Sequence, residues 1–259
     1  MPNTEQNCVA TAYDIEAARV AFPIRTISVT PAGEGHKVLS FGIPSYNAAK
    51  DMDHCITSIL EGSKFASDIE IIIVDDGSED ETGAKADEWE ARYPGIVRVV
   101  HQENGGHGMA VRAGLREAQG TYYKVVDSDD WLDAAALSTM LTILRGFEER
   151  NLRVDLFISN YVYEKVHEGT HTTISYRMAL PRKKVFSWEE IGRFRPIRTC
   201  SCTLCATARM SCAGTTSPCH RTPSTWTIST RTCRCPTARL SITPTSTCIV
   251  TSLVVRVRA

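Results

Sequence analysis

The sequence predicts an α/β fold built on a Rossmann-like, mostly parallel sheet flanked by helices. Three observations predict this fold. Short β-branched runs alternate four times with segments of helical period between residues 38 and 150. The second run, Ile69 to Val74, is apolar on both faces except for Glu70, as expected for a strand with helices on both sides. Aspartates or glycines follow three of the runs, at the sheet edge where parallel α/β folds bind ligands.

The first two predicted strands cover residues 38–43 and 69–74. Between them, apolar residues at helical spacing predict a helix that ends at Gly62. This apolar stripe consists of Met52, Cys55, Ile56, Ile59 and Leu60. A charged helix over 79–93 follows the second strand and leads to a third strand over 96–100.

A further helix over 109–119 connects the third strand to a fourth over 121–126. A long helix after Trp131 closes the unit, with Leu137, Met140, Leu141 and Leu144 on one stripe. Because crossovers between parallel strands are right-handed, the loops that follow the strands open at the same edge of the sheet. We therefore expect the four loops after these strands to be neighbours in space.

The repeating unit sits inside a predicted domain over residues 37–196. Residues 1–36 show no sustained period and are predicted to form a loosely attached N-terminal arm. Two longer strands are predicted over 154–164 and 171–180. Residues 197–259 are assigned to a separate C-terminal tail because their composition differs from that of the domain.

The loop after the fourth strand contains three carboxylates in four residues, Asp127, Asp129 and Asp130, with Ser128 between the first two. Such a cluster repels itself unless a cation or positive groups share it. Oxygen ligands suit Mg²⁺ or Mn²⁺, and these ions commonly complete their shell with substrate phosphate oxygens. The loop therefore predicts a site for a nucleotide diphosphate with a divalent ion. The alternative is a solvated acidic turn that caps the next helix.

Two other loops at the same edge support a nucleotide site. Asp75 and Asp76 precede Gly77, which permits a tight backbone turn, although a cap for the following helix is the alternative. Residues 104–108 contain three glycines before a helix, an arrangement that brings backbone amides close to phosphate. They match neither a G-x-G-x-x-G fingerprint nor a Walker loop. His107 could donate to a diphosphate, but a surface histidine in a turn is the simpler interpretation.

The strand-end segments together resemble those of family 2 glycosyltransferases of the GT-A fold, over about residues 37–195. In order, the segments are Pro44–Asn47, Val74–Ser78, Asn104–Gly108 and Asp127–Trp131. The resemblance implies an inverting enzyme that transfers a sugar from a nucleotide donor, commonly a UDP-sugar, to an acceptor hydroxyl. It also implies a glycan or lipid-linked acceptor and a role in cell-surface polysaccharide synthesis.

The resemblance further implies roles for individual residues. Tyr46 and its loop would flank the base, Asp76 would bind the uracil edge, and the acidic loop would hold the ribose and the metal-bound diphosphate. The implied nucleotide-binding set is Pro44, Ser45, Tyr46, Asn47, Asp75, Asp76, Gly106, His107, Arg112, Asp127 and Ser128, with Asp127, Asp129 and Asp130 on Mg²⁺ or Mn²⁺. Arg112 departs from the family pattern, which often has asparagine there.

The chemistry of inverting transfer agrees with this assignment but leaves the catalytic base unassigned. A divalent cation bound by carboxylates stabilises the departing diphosphate as a Lewis acid. A base must also remove the acceptor hydroxyl proton from the opposite face, and the family usually supplies it from an acceptor-side segment, here beyond Arg195. The sequence has no Asp or Glu after Glu190. We therefore expect the acceptor-side base to be missing from this chain.

The tail has a composition unlike that of the domain. Residues 200–259 contain 8 of the 10 cysteines and 14 threonines, but no Asp, Glu, Lys, Asn, Gln, Phe or Tyr. A zinc module is one interpretation, using Cys200, Cys202, Cys205, Cys212, Cys219, His220, Cys233 and Cys235, but paired C-x-x-C knuckles are lacking. The other is translation out of frame, since codons for Thr222–Thr230, shifted by two bases, can encode Pro-Phe-Tyr-Val-Asp-Asn-Ile-Tyr. We favour the second interpretation and expect a disordered tail.

Net charge and hydropathy bound the partners and location. The formal charge of −1 divides into −8 for residues 1–199 and +7 for residues 200–259. It therefore indicates no particular partner, and no nucleic acid is expected. No apolar run approaches the roughly 20 residues of a membrane span, and Met1 to Ala12 has no basic stretch followed by an apolar one, so no export signal is expected. A cytoplasmic location is expected, with peripheral association at the inner face of the membrane as an option.

Two other function classes stay open at this stage. One is a phospho-acceptor signalling module, because receiver domains also place an acidic pair at the end of a parallel strand. It would need a further Asp and a Lys at later strand ends, and the triple-acid loop suits it badly. The other is a sugar-nucleotide binder without catalytic activity.

Overall fold

The computed structural model describes residues 35–63, 66–152, 154–165 and 170–174, together with seven short segments between residues 185 and 258. Apart from its last two residues, the predicted N-terminal arm lies outside the described residues.

Four parallel strands form the part of the sheet that the sequence predicts. They are β1 (Leu39–Ser45), β2 (Ile69–Asp75), β3 (Val97–His101) and β4 (Tyr122–Val125). Their order across the sheet is β3-β2-β1-β4, and each neighbouring pair is parallel. The predicted mostly parallel α/β fold is confirmed.

Four α-helices in the described part of the chain flank this sheet. They are α1 (Met52–Gly62), α2 (Thr82–Arg92), α3 (His107–Glu117) and α4 (Ala134–Glu149). Strands β1 and β2 are buried along their whole length, as expected when helices cover both faces of the sheet. The apolar stripes predicted on the first and last helices face this core, where Ile56, Ile59 and Leu144 are fully buried.

Among the element boundaries that differ from the prediction, two have a local explanation. β1 continues through Pro44 and Ser45, which were predicted to lie in the loop and are instead buried. Since β4 is in register with β1 only as far as Gly42, the missing N–H of Pro44 falls beyond that pairing. Helix α2 begins at Thr82 rather than at residue 79, because the Asp80 side chain accepts the Thr82 amide at 2.9 Å and forms a turn.

A two-residue strand, β5 (Trp131–Leu132), lies where the sequence predicted the start of the long helix. The helix begins two residues further on because Asp133 caps it, accepting a hydrogen bond from the amide of Ala136 at 2.9 Å. The acidic loop is therefore a short connection between two strands rather than a strand-to-helix loop.

Two longer strands follow α4, as predicted. They are β6 (Leu156–Lys165) and β7 (Thr170–Ile174), and they pair with each other in antiparallel fashion. The remainder of the second predicted strand, to residue 180, lies outside the described residues.

The described segments of the C-terminal part are strands. They are β8 (Val185–Ser187), β9 (Cys200–Ser201), β10 (Cys205–Ala208), β11 (Thr225–Ser229), β12 (Thr232–Arg234), β13 (Arg239–Leu240) and β14 (Thr247–Arg258). Strand β10 pairs antiparallel with β4 and β6, and β14 pairs parallel with β6.

These segments contain threonine, valine and isoleucine, which favour extended backbone. The other residues of 197–259, with most of the cysteines considered for zinc, lie outside the described residues.

Two buried acids bind neighbouring elements at the amino-end edge of the parallel sheet. Glu70 accepts hydrogen bonds from Ser40 Oγ at 2.6 Å and from Arg98 Nη2 at 2.8 Å, as well as from two backbone amides before β4. Asp68 forms a two-point ion pair with Arg145 of α4, with nitrogen–oxygen distances of 2.8 and 2.7 Å. Glu70, the one polar residue of the second predicted strand, thus connects β2 to β1, to β3 and to the segment before β4.

Candidate functional site

The segments after β1, β2, β3 and β4 lie together at the carboxyl-end edge of the sheet, as the strand order predicts. Each of the first three segments is hydrogen-bonded to the segment that follows it in the sequence. Asn47 after β1 contacts Ser78 after β2, Asp76 after β2 contacts Gly106 after β3, and His107 contacts Asp127 after β4.

Asn47 joins the first two segments. Its backbone has a φ of 50°, a left-handed conformation that asparagine tolerates better than most residues. Its amide donates to Ser78 Oγ at 3.0 Å, and its side-chain oxygen accepts the amide of Glu79 at 2.9 Å. Tyr46, the preceding residue, keeps 50% of its surface exposed. The turn therefore uses Asn47 for structure and leaves an aromatic ring at the rim of the site.

Asp75 is held at the end of β2 by a histidine that the sequence analysis did not select. Its carboxylate accepts the amide of Ser78 at 3.1 Å and lies 2.9 Å from Nδ1 of His101. Burial alone would raise the pKa of Asp75, but the hydrogen bonds from Ser78 and His101 outweigh it and lower that pKa. The same contact, with a second one to Asp87, raises the pKa of His101.

Asp76 anchors the glycine-rich segment from within. Its carboxylate is 3% exposed and accepts the amides of Gly105 at 2.9 Å and Gly106 at 2.8 Å. Gln102 adds a third hydrogen bond at 2.6 Å. The sequence predicted that amides of this segment could reach a phosphate, but these two are aimed at an internal carboxylate instead.

Gly77 is required where the second and third segments cross. Its φ is 70°, and a Cβ added there would lie 2.8 Å from the backbone nitrogen of Asn104. Both the backbone conformation and the close approach of the neighbouring chain exclude a larger residue.

His107 links the glycine-rich segment to the acidic loop. It is the first residue of α3, and its Nε2 lies 2.9 Å from Oδ1 of Asp127. The hydrogen bond to Asp127 raises the pKa of His107, with the charges of Asp127 and Asp76 adding to the effect. The structure therefore places this histidine on an acid of the candidate site rather than in an isolated surface turn.

The acidic loop presents its carboxylates at different depths. Asp127 and Ser128 are half-buried, Asp129 is exposed, and Asp130 is 3% exposed. The loop turns back on itself, since the Asp130 amide donates to the Asp127 carbonyl at 2.9 Å. Beneath it lies Cys55 of α1; burial raises the pKa of its thiol, and the charges of these three carboxylates raise it further.

The donor set fits an ion shared with a ligand better than a preformed metal site. Within the described residues, no group of three or more His, Cys, Asp or Glu side chains lies close enough to hold a metal. Of the three carboxylates predicted as ligands, Asp130 is buried, whereas Asp127 and Asp129 are accessible. Mg²⁺ commonly binds one or two carboxylates and takes its remaining ligands from substrate phosphates, and Asp127 and Asp129 supply that number.

Arg112 is not drawn into the site by the contacts that join the other residues. It is exposed on α3, about one and a half turns beyond His107, and among the described residues it forms no ion pair with the acids. In contrast, His101 and Gln102 belong to the site although the sequence analysis passed over them. His101 is the last residue of β3 and Gln102 follows it, so the strand-end rule used for the acids also applies to them.

The parallel sheet, its flanking helices and the acidic segments at its carboxyl edge define an α/β protein of the GT-A fold. The family model of glycosyl transferase family 2 matches residues 40–201, more than half of the chain, so the chain belongs to that family. This membership confirms the family that the motifs indicate and favours it over the receiver-domain alternative.

Curated proteins named as glycosyltransferases are similar to part of this chain. The chain is 40% identical over 98 residues to an uncharacterized glycosyltransferase, EpsJ, of Bacillus subtilis, covering 38% of this chain and 28% of EpsJ. It is 36% identical over 126 residues to glycosyltransferase GlyG of Streptococcus pneumoniae, covering 48% of this chain and 39% of GlyG. The matches thus span well under half the length of either relative.

A solved structure shares the fold. The crystal structure of Staphylococcus aureus TarS residues 1–349 superposes with a TM-score of 0.51 at 22% identity, covering 67% of this chain and 48% of that one. Within the described part of this chain, no helix is long and apolar enough to cross a membrane.

Proposed function

We propose that this chain carries the donor site of an inverting, metal-dependent glycosyltransferase. The donor is a nucleotide diphosphate sugar, a UDP-sugar by family resemblance, and the acceptor is a hydroxyl of a glycan or a lipid-linked glycan in cell-surface polysaccharide synthesis. The observation that carries the proposal is the continuous chain of contacts from Asn47 to Asp127 along the edge of the sheet. In a family 2 glycosyltransferase domain, this edge is where the nucleotide belongs.

The base is proposed to bind between Tyr46 and Asp76. Tyr46 offers a half-exposed aromatic face for stacking. Asp76 already accepts three hydrogen bonds, and an ionised carboxylate has about four acceptor positions, so one is left for an N–H of a uracil edge. The internal anchoring of the glycine-rich segment is therefore compatible with a role in base recognition.

Asp127 and Asp129 are the carboxylates we assign to Mg²⁺ or Mn²⁺, and the buried Asp130 supports the loop. The ion, when bound, would supply Lewis-acid stabilisation of the departing diphosphate. His107 lies beside Asp127 at the start of a helix, where it holds that carboxylate and can donate to a diphosphate oxygen.

A second candidate function is binding of the sugar nucleotide without transfer. It is favoured by one observation, namely that the sequence has no Asp or Glu after Glu190, where the acceptor-side base of an inverting enzyme is expected.

We also propose that the chain consists of an arm over 1–36, a donor domain over 37–196 and an out-of-frame tail. Sequencing the coding DNA across codons 190–235 tests it, since an intact alternative frame is expected there.

The deciding experiment is calorimetric titration of the chain with UDP in the presence of Mn²⁺, for the wild type and for Asp129→Ala. Altering a residue that only supports a metal ligand typically costs 10- to 100-fold in affinity, so loss of a ligand is expected to cost at least about tenfold. Glu103→Ala is the matched control, because it removes an exposed carboxylate from the same edge. Equal affinity of Asp129→Ala and wild type would overturn the metal assignment, and a sugar-transfer assay then separates enzyme from binder.

A further inference from the structure

One turn of helix α1 touches both ends of the acidic loop. Cys55 Sγ donates to the carbonyl of Asp127 at 3.7 Å, where the loop leaves β4. Ser58 Oγ accepts the amide of Leu132 at 3.1 Å, where the loop has become β5. Cys55 and Ser58 are three positions apart in the helix, so both side chains project from the same face.

The contact at the Leu132 end cannot be replaced by water. Ser58 is 7% exposed and Leu132 is 5% exposed. Ser58 Oγ also donates to the carbonyl of Cys55 at 2.7 Å, which fixes the hydroxyl hydrogen and turns a lone pair towards the Leu132 amide. Removal of this hydroxyl would leave a buried N–H without its partner, a costly arrangement that the loop can relieve only by moving.

The contact at the Asp127 end is also buried, and a contact between two rings supports the loop near Leu132. Cys55 is fully buried, and its thiol donates to the Asp127 carbonyl. The ring of His54 packs on that of Trp131, with 5.0 Å between centroids, directly beside the second anchor. Asp129, the exposed carboxylate, lies between these anchored ends.

We infer that Cys55 and Ser58 are positioning residues, which hold the acidic loop in the geometry that a metal-bound diphosphate requires. A loop fixed at both ends gives up little conformational freedom when a ligand binds, and this preorganisation appears as affinity. The inference rests on the proposed function, since it concerns how the metal-dependent part of nucleotide binding arises. Neither side chain is expected to touch the ligand.

The test compares Ser58→Ala with Ser63→Ala. Ser63 is a matched control because it is also buried and follows the same helix directly, and among the described residues its hydroxyl bonds only the helix carbonyls of Ile59 and Leu60. UDP affinity is measured with Mn²⁺ and again with a chelator. Ser58→Ala is expected to weaken UDP binding about tenfold with Mn²⁺ and less than about twofold without it, since one unpaired buried amide shifts an equilibrium by that order.

Cys55 provides a rescue experiment at the other end of the loop. Cys55→Ala is expected to weaken Mn²⁺-dependent binding about threefold, since a thiol is a weak donor, and Cys55→Ser is expected to restore most of it by supplying a hydroxyl donor. A role in packing alone predicts no rescue, because serine is hardly larger than alanine and would bury a hydroxyl without a partner.

Hydrogen exchange at the Leu132 amide separates failure of this inference from failure of the proposed function. The amide is expected to exchange at least about tenfold faster in Ser58→Ala than in wild type or Ser63→Ala, with no nucleotide present. If wild type binds no UDP but this result holds, the loop is anchored and the proposed function is wrong. If exchange is unchanged in Ser58→Ala, or if Ser63→Ala weakens Mn²⁺-dependent binding equally, the positioning role is overturned.

Discussion

Both edges of the parallel sheet carry buried acids, but the groups that pair with these acids differ between the two edges. At the amino-end edge, Glu70 is paired with Arg98 and Asp68 with Arg145. At the carboxyl-end edge, Asp75 and Asp127 lie against imidazoles, and Asp76 accepts amides. Arginine is permanently charged, whereas an amide is neutral and an imidazole titrates near neutral pH.

This difference separates structure from function within one sheet. A carboxylate bound to arginine has its charge neutralised, so it holds the fold together and offers little to a cation. A neutral amide leaves the charge of a carboxylate uncompensated, and an imidazole compensates it only while the imidazole is protonated. The carboxyl-end edge therefore retains the charge that a divalent ion and a diphosphate need, and its properties should depend on pH and on metal.

The largest expected effect concerns the amino-end edge. Glu70→Gln keeps one oxygen for the two backbone amides but removes the charge and the acceptor that face Arg98, so we expect the free energy of unfolding to fall by about 3 kcal/mol. Urea denaturation measures this loss. Affinity for UDP with Mn²⁺ is expected to stay within about twofold of wild type, because stability effects at distant, independent sites rarely reach the binding site.

Glu61→Gln serves as the control for Glu70→Gln, because Glu61 is an exposed glutamate on α1. Its free energy of unfolding should lie within about 0.5 kcal/mol of wild type. A large loss of UDP affinity in Glu70→Gln at temperatures where it is folded would contradict the separation of the two edges.

A smaller effect on stability, but a large one on binding, is expected at the carboxyl-end edge. Asp76→Asn turns an NH₂ group towards the amide of Gly105 or Gly106, and one buried donor loses its partner. The free energy of unfolding should fall by about 1–3 kcal/mol. UDP affinity should fall as well, because this segment carries His107 to Asp127.

Glu79→Gln is the matched control for Asp76→Asn, since it removes one negative charge from an exposed position three residues away. Denaturation and UDP titration are run on both variants. If Asp76→Asn lost stability while keeping full nucleotide affinity, Asp76 would belong with Glu70 as a structural acid.

The sequence alone could identify which edge of the sheet binds ligands. The alternation of strands and helices predicts a parallel sheet, and handed crossovers then place Asp75, Asp76 and Asp127 side by side. The same rule covers His101 and Gln102, which directly follow the predicted third strand. These two were overlooked because neither residue type forms a recognisable motif on its own.

Sequence patterns could not predict how far each acid is buried or which partner it takes. Asp129 is exposed and Asp130 is buried, because a turn within the loop decides where each side chain points. The contact of Ser58 with Leu132 joins residues 74 positions apart, and its register depends on how α1 packs. The tail strands likewise pair with β4 and β6 far away in the sequence, where local composition carries no signal.

The smallest expected effect is the pH dependence that titratable partners give the carboxyl-end edge. His101 bridges Asp75 and Asp87, which raises its pKa, so its stabilisation is fully present below the unfolded value of about 6.5 and is lost as pH rises through the folded pKa. Asp75 has a lowered pKa, so its stabilisation is present above about 3.9 and is lost as pH falls through the folded value.

Both contributions coexist between about pH 4 and 6.5. Because half of the His101 side chain is exposed, solvent screening should hold its contribution under about 1 kcal/mol. Urea denaturation from pH 5.5 to 8.5 compares wild type with His101→Gln, and the stability advantage of wild type should shrink as pH rises. His107 titrates in the same direction but is retained in both proteins, so it cancels from the difference. An advantage that stays constant with pH would place His101 among the structural contacts.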